Sequence, residues 1–227
     1  MSRTIQAVVF DFDGLIVDTE TPEYLAWQTV YGQQGWTFPL ASWLRNVGRN
    51  DRPFDPLGRF READSPMRPE EAEAAWDEHH ALLEERYLTP LPGVVRLLAD
   101  LRRHDFRCAV ASSSRLTRVR HLLEVLGLGD RFDAVACGDE VPHAKPAPDV
   151  YRLAAGRLGV APAACVALED SEPGVRAAKA AGMRCMAVPS PLTRGMDFSA
   201  ADGIVDSLLG VTIAGLTGPG GRTEARR

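Results

Sequence analysis

Short, nearly uninterrupted apolar runs separated by amphipathic stretches organise this chain. Residues 5–10 are apolar apart from Gln6 and end in Asp11, the pattern of a strand buried on both faces of a parallel sheet. Four further runs share that character, at 107–111, 134–137, 165–168 and 185–188. Between them lie helix-period stretches at 116–126, 149–158 and 174–181, followed by Gly127, Gly159 and Gly182 as C-terminal caps. Strand and helix alternating in this order predict right-handed βαβ units and a doubly wound, Rossmann-like parallel sheet.

The alternation stops between the first two strands. Residues 22–34, 40–47 and 69–87 read as amphipathic helices with no strand candidate among them. The expected fold class is therefore α/β: a catalytic core formed by 1–16 and 91–227, with an inserted α-helical cap domain over 17–90. The chain returns through Leu88-Thr-Pro-Leu-Pro-Gly93, a Pro-rich hinge, into a helix at 94–103. Both crossings fall beside the carboxyl end of the first strand, where open α/β sheets bind ligands, so the inserted lobe is placed to act as a lid. Beyond Leu209 the text turns Gly- and Arg-rich and predicts a frayed tail.

Composition narrows the function classes. The 227 residues are 45% hydrophobic and 25% charged, enough to bury a core and incompatible with disorder throughout. Twenty-six basic against 31 acidic residues leave a net charge of −5. No basic stripe interleaved with aromatics is present, which argues against a nucleic-acid partner. The apolar runs are short and the first ten residues lack a signal peptide's layout, predicting a soluble, cytoplasmic protein without a membrane partner. A monomer is expected, with a dimer as the alternative. Cys108, Cys137, Cys165 and Cys185 lie in or beside apolar runs without Cys-x-x-Cys spacing, and read as buried free thiols. Lys145 and Lys179 are the only lysines.

The strand ends carry the chemistry. Asp11-Phe-Asp-Gly14 follows the first strand directly, so alternation sends Asp11 and Asp13 to the same side, with Gly14 permitting a tight turn. Alone, this could be an ordinary Asp/Gly surface turn. The other strands, however, lead into Ser112-Ser-Ser114, Lys145-Pro-Ala-Pro148 and Glu169-Asp-Ser171. A carboxylate pair, a hydroxyl, a rare lysine and a second acidic pair thus meet at one edge. Phosphoryl transfer through a carboxylate requires such a set: a nucleophile, a proton donor, neutralising cations and donors to phosphate oxygens.

In this order, Asp11-Phe-Asp-Gly, Ser112, Lys145 and Glu169-Asp170 resemble the four motifs of the haloacid dehalogenase superfamily. The insertion after the first motif, Gly14-Leu-Ile-Val-Asp-Thr19 and His143-Ala-Lys-Pro-Ala-Pro-Asp149 resemble its β-phosphoglucomutase-like phosphatases with a helical cap. The resemblance implies Asp11 as a nucleophile forming an aspartyl-phosphate. It implies a Mg²⁺ held by Asp11, the backbone carbonyl of Asp13 and Asp170, with Glu169 supporting the ion directly or through water. Asp13 becomes the general acid and then the base, which requires environments that push the Asp11 and Asp13 pKa values apart. Ser112 and Ser113 would bind phosphoryl oxygens and Lys145 would neutralise charge on them.

Within that resemblance, members that cleave carbon–halogen bonds lack a second aspartate at the position of Asp13, and phosphonate-cleaving members use a cap lysine, whereas no lysine precedes Lys145. Phosphate esters are the implied substrates, and a small phosphorylated metabolite the implied partner. The sugar-phosphate mutases carry a histidine where this chain has Glu23, so a Mg²⁺-dependent phosphatase is the first reading, a mutase the alternative and a non-catalytic binding relative a third. Selectivity is expected from the cap segment holding Trp43, Arg45, Gly48, Arg49, Asn50 and Arg52. Its arginines either reach the cleft or pair with the acidic stretch at 70–85. His79 and His80 read as helix-face residues, and Lys179 as an exposed charge.

Overall fold

The computed structural model describes residues 4–49 and 51–218. Its core is an all-parallel sheet of β1 (Ala7–Phe10), β2 (Arg107–Ser112), β3 (Ala134–Cys137), β4 (Cys165–Glu169), β5 (Arg184–Ala187) and β6 (Gly203–Ile204), ordered β3-β2-β1-β4-β5-β6. After β3 the chain crosses back to the far side of β1, so the strand order reverses between β1 and β4. Phe10 pairs with Val110 on one side and Leu168 on the other. That register brings Asp11, Ala111 and Glu169 to one level at the carboxyl edge.

Both sheet faces are buried, as the uninterrupted apolar runs require. Val8 and Phe10 face Leu97, Leu101, Val119 and Leu123, from α4 (Val94–Arg103) and α5 (Leu116–Val125). Ala7 and Val9 face Tyr151, Ala154, Ala177 and Ala178, from α6 (Asp149–Leu158) and α7 (Glu172–Ala180). The small side chains on this second face let α6 and α7 lie close to the strands.

Between β1 and β2 the chain forms a helical lobe of α1 (Glu20–Gln33), α2 (Leu40–Trp43) and α3 (Pro69–Tyr87). Its own apolar cluster is built on Trp27, Tyr31, Phe38, Trp43 and Phe60, with Tyr31 and Phe38 meeting edge to face at 4.8 Å. The two crossings run side by side: Val17 bridges Pro90, and Leu91 N–H donates to Ile16 O at 2.8 Å. Leu192 and Met196, from the segment after β5, pack against the lobe's cluster.

Three features differ from the sequence expectation. The second helix ends at Trp43 rather than Val47, because the Asn46 side chain bonds both the N–H and the C=O of Phe54 and folds 44–48 into turns. The two-residue β6 is too short to leave a periodic signal. The segment after Leu209 is not frayed over its described part. Helix α8 (Ile213–Thr217) buries Leu216 completely, and Arg184 donates to the carbonyls of Leu216 and Gly218 at 2.9 Å each. The rest of that tail, 219–227, lies outside the described residues. All four cysteines are buried and free, as expected. Among the described residues no helix is long and apolar enough to cross a membrane.

Candidate active site

Asp11 leaves β1 with its N–H on Leu168 O at 2.9 Å. Its Oδ1 accepts from Lys145 Nζ at 2.5 Å, and the same ammonium donates to Glu169 Oε1 at 2.7 Å and Ala111 O at 3.0 Å. Lys145, Glu169 and Asp170 are 2%, 0% and 1% exposed, so one cation lies among three buried carboxylates. Glu169 is fully engaged: Oε1 also takes the Tyr151 hydroxyl at 2.7 Å, while Oε2 takes the N–H and hydroxyl of Ser171. Asp170 is the exception, because its buried Oδ2 has no hydrogen-bond partner. A buried carboxylate oxygen left without a donor is costly unless a cation satisfies it. Gly14, at φ +82°, leaves room beside it, where a Cβ would fall 2.3 Å from Asp170 Oδ2.

Asp11, Glu169 and Asp170 each offer a ligand atom within 4.8 Å of the others. Burial, followed by the charge of Glu169, raises the Asp11 carboxyl to about 8 despite Lys145. Burial and the neighbouring Asp11 and Glu169 push Asp170 well above the usual carboxylate range. Three crowded acids with a partnerless oxygen fit the oxygen-only donor set that Mg²⁺ takes.

Asp13 turns its side chain away from this group. Its Oδ1 accepts from Thr19 Oγ1 and Arg118 Nη1, both at 2.8 Å, and its Oδ2 from Ser112 Oγ at 3.0 Å and Ser114 Oγ at 2.7 Å. Burial pushes this carboxyl up, but the Arg118 guanidinium and the Ser114 and Thr19 hydroxyls together outweigh it and hold it below its ordinary value. The two aspartates are pushed apart in the opposite sense to the one expected from the sequence, in which Asp13 holds a proton that Asp11 has lost.

A cavity of about 560 Å³ opens above these residues, lined from the core by Asp11, Asp13, Ser113, Ser114 and Arg118, and from the lobe by Glu20, Glu23, Trp43, Arg49 and Arg52. Ser112, wholly buried, and Lys145 stand behind the lining instead of in it. Arg49 grips Asp51 through two hydrogen bonds, and Arg52 pairs with Glu23 at 3.3 Å. Of the two readings of the cap arginines, the geometry puts Arg49 and Arg52 at the cavity; neither pairs with the acidic helix α3. Gly48 lies where lobe meets core: its carbonyl accepts from Ser113 Oγ at 3.1 Å, and at φ +74° a Cβ would fall 2.4 Å from Ser171 Oγ. Asn50 lies outside the described residues.

The chain matches the haloacid dehalogenase-like hydrolase family over residues 5–182. It belongs to that family. Hexitol phosphatase B of Escherichia coli (strain K12) is 35% identical over 219 residues, covering 95% of this chain and 98% of the relative. Fructose-1-phosphate phosphatase YqaB of the same strain is 35% identical over 195 residues, covering 81% and 96%. Among solved structures, a CbbY variant from Rhodobacter sphaeroides in complex with xylulose-(1,5)bisphosphate superimposes with a TM-score of 0.72 at 32% identity, covering 94% of this chain and 99% of that one.

In this dehalogenase-like hydrolase the sequence reading missed three residues that touch the proposed chemistry. Tyr151 shows in the sequence only as part of the helix-period stretch 149–158, yet its hydroxyl reaches Glu169. Thr19 closes the Gly14–Thr19 stretch of the resemblance, but nothing in the sequence assigns its hydroxyl to Asp13. Arg118 lies in an amphipathic stretch whose period marks it as polar-face, and only the tertiary turn of α5 toward β1 brings it to Asp13. His79 bonds Gln33, His80 stacks on Trp76, and His143 pairs with Asp149, all away from the cavity lining.

Proposed function

We propose that this hydrolase is a Mg²⁺-dependent phosphatase that cleaves a small phosphomonoester, a sugar phosphate or similar metabolite, through an aspartyl-phosphate on Asp11. The observation that carries the reading is Asp11 held on Lys145 beside the partnerless oxygen of Asp170, at the floor of a polar cavity. Asp11, Asp170 and the backbone carbonyl of Asp13 would hold the ion, and Glu169, whose oxygens are already taken, would act through Lys145 and Ser171 or through water. When bound there, the ion offsets the repulsion between carboxylate and phosphate dianion and lowers the Asp11 carboxyl into its ionised form.

An Asp11 oxygen forms a bond to phosphorus as the ester P–O bond breaks, and Asp13 gives its proton to the departing oxygen, which leaves as the alcohol. A phosphate dianion beside Asp13 favours the protonated form that this step uses. Water then attacks phosphorus, its proton returns to Asp13, and the Asp11–phosphorus bond breaks to release inorganic phosphate. Lys145 keeps Asp11 oriented throughout, and Ser113, which lines the cavity, would bind a phosphoryl oxygen by turning its hydroxyl from the Gly48 carbonyl, while the Ser112 and Ser114 hydroxyls stay on Asp13. Residues 17–90 are read as a cap domain that opens for exchange and closes to exclude water. Two relatives are named as phosphatases of hexitol phosphates and of fructose 1-phosphate, and a CbbY variant binds xylulose-(1,5)bisphosphate; the guanidinium groups of Arg49, Arg52 and Arg118 at the cavity suit phosphorylated compounds of this kind.

Asp11→Asn keeps the shape and a hydrogen-bond acceptor for Lys145 but removes the nucleophile. Metal-dependent phosphate release is expected to fall by more than about a thousandfold with the fold intact by circular dichroism. Substantial turnover by a folded Asp11→Asn protein would mean that the nucleophile lies elsewhere.

A further inference from the structure

We infer that Arg118 is a positioning residue that fixes the Asp13 carboxylate at the cavity from the core side, aimed at the departing ester oxygen; this rests on the phosphatase reading above. Four donors hold Asp13, and three of them are hydroxyls, which can rotate and either donate or accept. A guanidinium can only donate, from a planar fork of fixed geometry. Arg118 is therefore the one partner whose orientation constrains Asp13 rather than adapting to it. Its Nη1 also lies 3.2 Å from Ser114 Oγ, which itself donates to Asp13 Oδ2. Arginine, serine and aspartate thus close a small ring around the carboxylate.

Helix stability does not account for an arginine here. Arg118 is the third residue of α5, whose first turn holds no acidic residue, and the partial positive charge of a helix N-terminus disfavours a cation there. The helix end is served instead by Asp139, whose Oδ1 accepts from Leu116 N–H at 3.0 Å. Arg118 is 34% exposed and lines the cavity beside Asp13, so a solvated rotamer is open to it and its engagement with Asp13 is specific. The other Oδ1 partner, Thr19, immediately precedes α1 and belongs to the lobe side of the crossing. Arg118, Ser112 and Ser114 belong to the core. If the lobe swings, the Thr19 contact is free to change while the core-side grip on Asp13 persists.

The test compares Arg118→Gln and Arg118→Lys with wild type, in Mg²⁺, on a sugar phosphate and on 4-nitrophenyl phosphate, whose leaving anion needs no proton. For Arg118→Gln, kcat on the sugar phosphate is expected to fall by about ten- to a hundredfold, with KM and inhibition by inorganic phosphate within about twofold of wild type. With 4-nitrophenyl phosphate the first-turnover burst of nitrophenolate is expected to survive. Steady turnover falls, because Asp13 must still take the proton from water. Arg118→Lys should recover part of kcat. Should Arg118→Gln not fold, Arg118→Lys carries the same comparison, its point charge lacking the planar fork. A raised KM and weakened phosphate inhibition with kcat preserved would make Arg118 a substrate ligand and overturn the inference. So would unchanged kcat, or equal loss of burst and sugar-phosphate turnover. Wild-type protein inert on both esters would overturn the phosphatase reading as well, whereas active wild type with an unaltered variant overturns the Arg118 inference alone.

Discussion

Lys145 is one ammonium facing Asp11 and Glu169, with Asp170 close by, and burial alone would make that arrangement expensive. Burial, reinforced by the charge of Glu169, raises Asp11 to about 8 from its ordinary 3.8. A carboxyl raised in the folded protein keeps a proton that the unfolded chain has lost, so between those two values stability falls as pH rises. Asp13, held below its ordinary value, is ionised in both states across that window and adds nothing to the slope. Without divalent ions, thermal stability should therefore decline from pH 5 to about pH 8, and the rise in melting temperature on adding Mg²⁺ should grow over the same range, since ion and proton compete for the same oxygens. A Mg²⁺-induced shift that is absent, or that shrinks toward high pH, would argue against a metal at these carboxylates. Asp11, Asp13, Lys145 and Asp170 were legible in the sequence because each directly follows a strand or sits in a dense motif. Arg118 was not, because one polar position on a helix face looks like the next until the helix is docked.

At the scale of elements, alternation of apolar runs and helix-period stretches was sufficient for five of the six strands, since each is buried on both faces and leaves an unbroken signal. The loop between α2 and α3 carried no such signal: its shape comes from the Asn46–Phe54 hydrogen bonds and from Gly48 meeting Ser171. Gly48 is where this loop touches the core, and Ala in its place faces both a left-handed φ and a Cβ 2.4 Å from Ser171 Oγ. Gly48→Ala is expected to lift the loop from the core and lower kcat/KM by about tenfold or more, the usual consequence of a small displacement at a catalytic cleft. The remainder of the protein should melt as before to within about 1–2 kcal/mol of backbone strain. Full activity in that variant would show that the Gly48 contact with the core is not needed for turnover.

For the whole molecule, the reversal of strand order at β1 and β4 explains why the proposed catalytic groups converge. The switch point gathers the ends of β1, β2 and β4 at one edge, and the lobe inserted after β1 stands above them. The sequence predicted this convergence from strand ends alone. Over 210–218 the expectation of a frayed tail fails, because the Gly- and Arg-rich text that follows masks the few apolar residues, Val211 and Leu216 among them, that seat α8 on the core. Between the two proposed reactions, hydrolysis and phosphoryl return to a sugar, Glu23, paired with Arg52 at the cavity where the resembling mutases carry a histidine, favours hydrolysis. The most direct test is inorganic phosphate release from a panel of sugar phosphates, with Mg²⁺ and with chelator, including β-glucose 1-phosphate assayed in parallel for glucose 6-phosphate. Phosphate release that depends on Mg²⁺, with little isomer, is the expected result; isomer formation without free phosphate, or release indifferent to chelator, would show that this is not a Mg²⁺-dependent phosphatase.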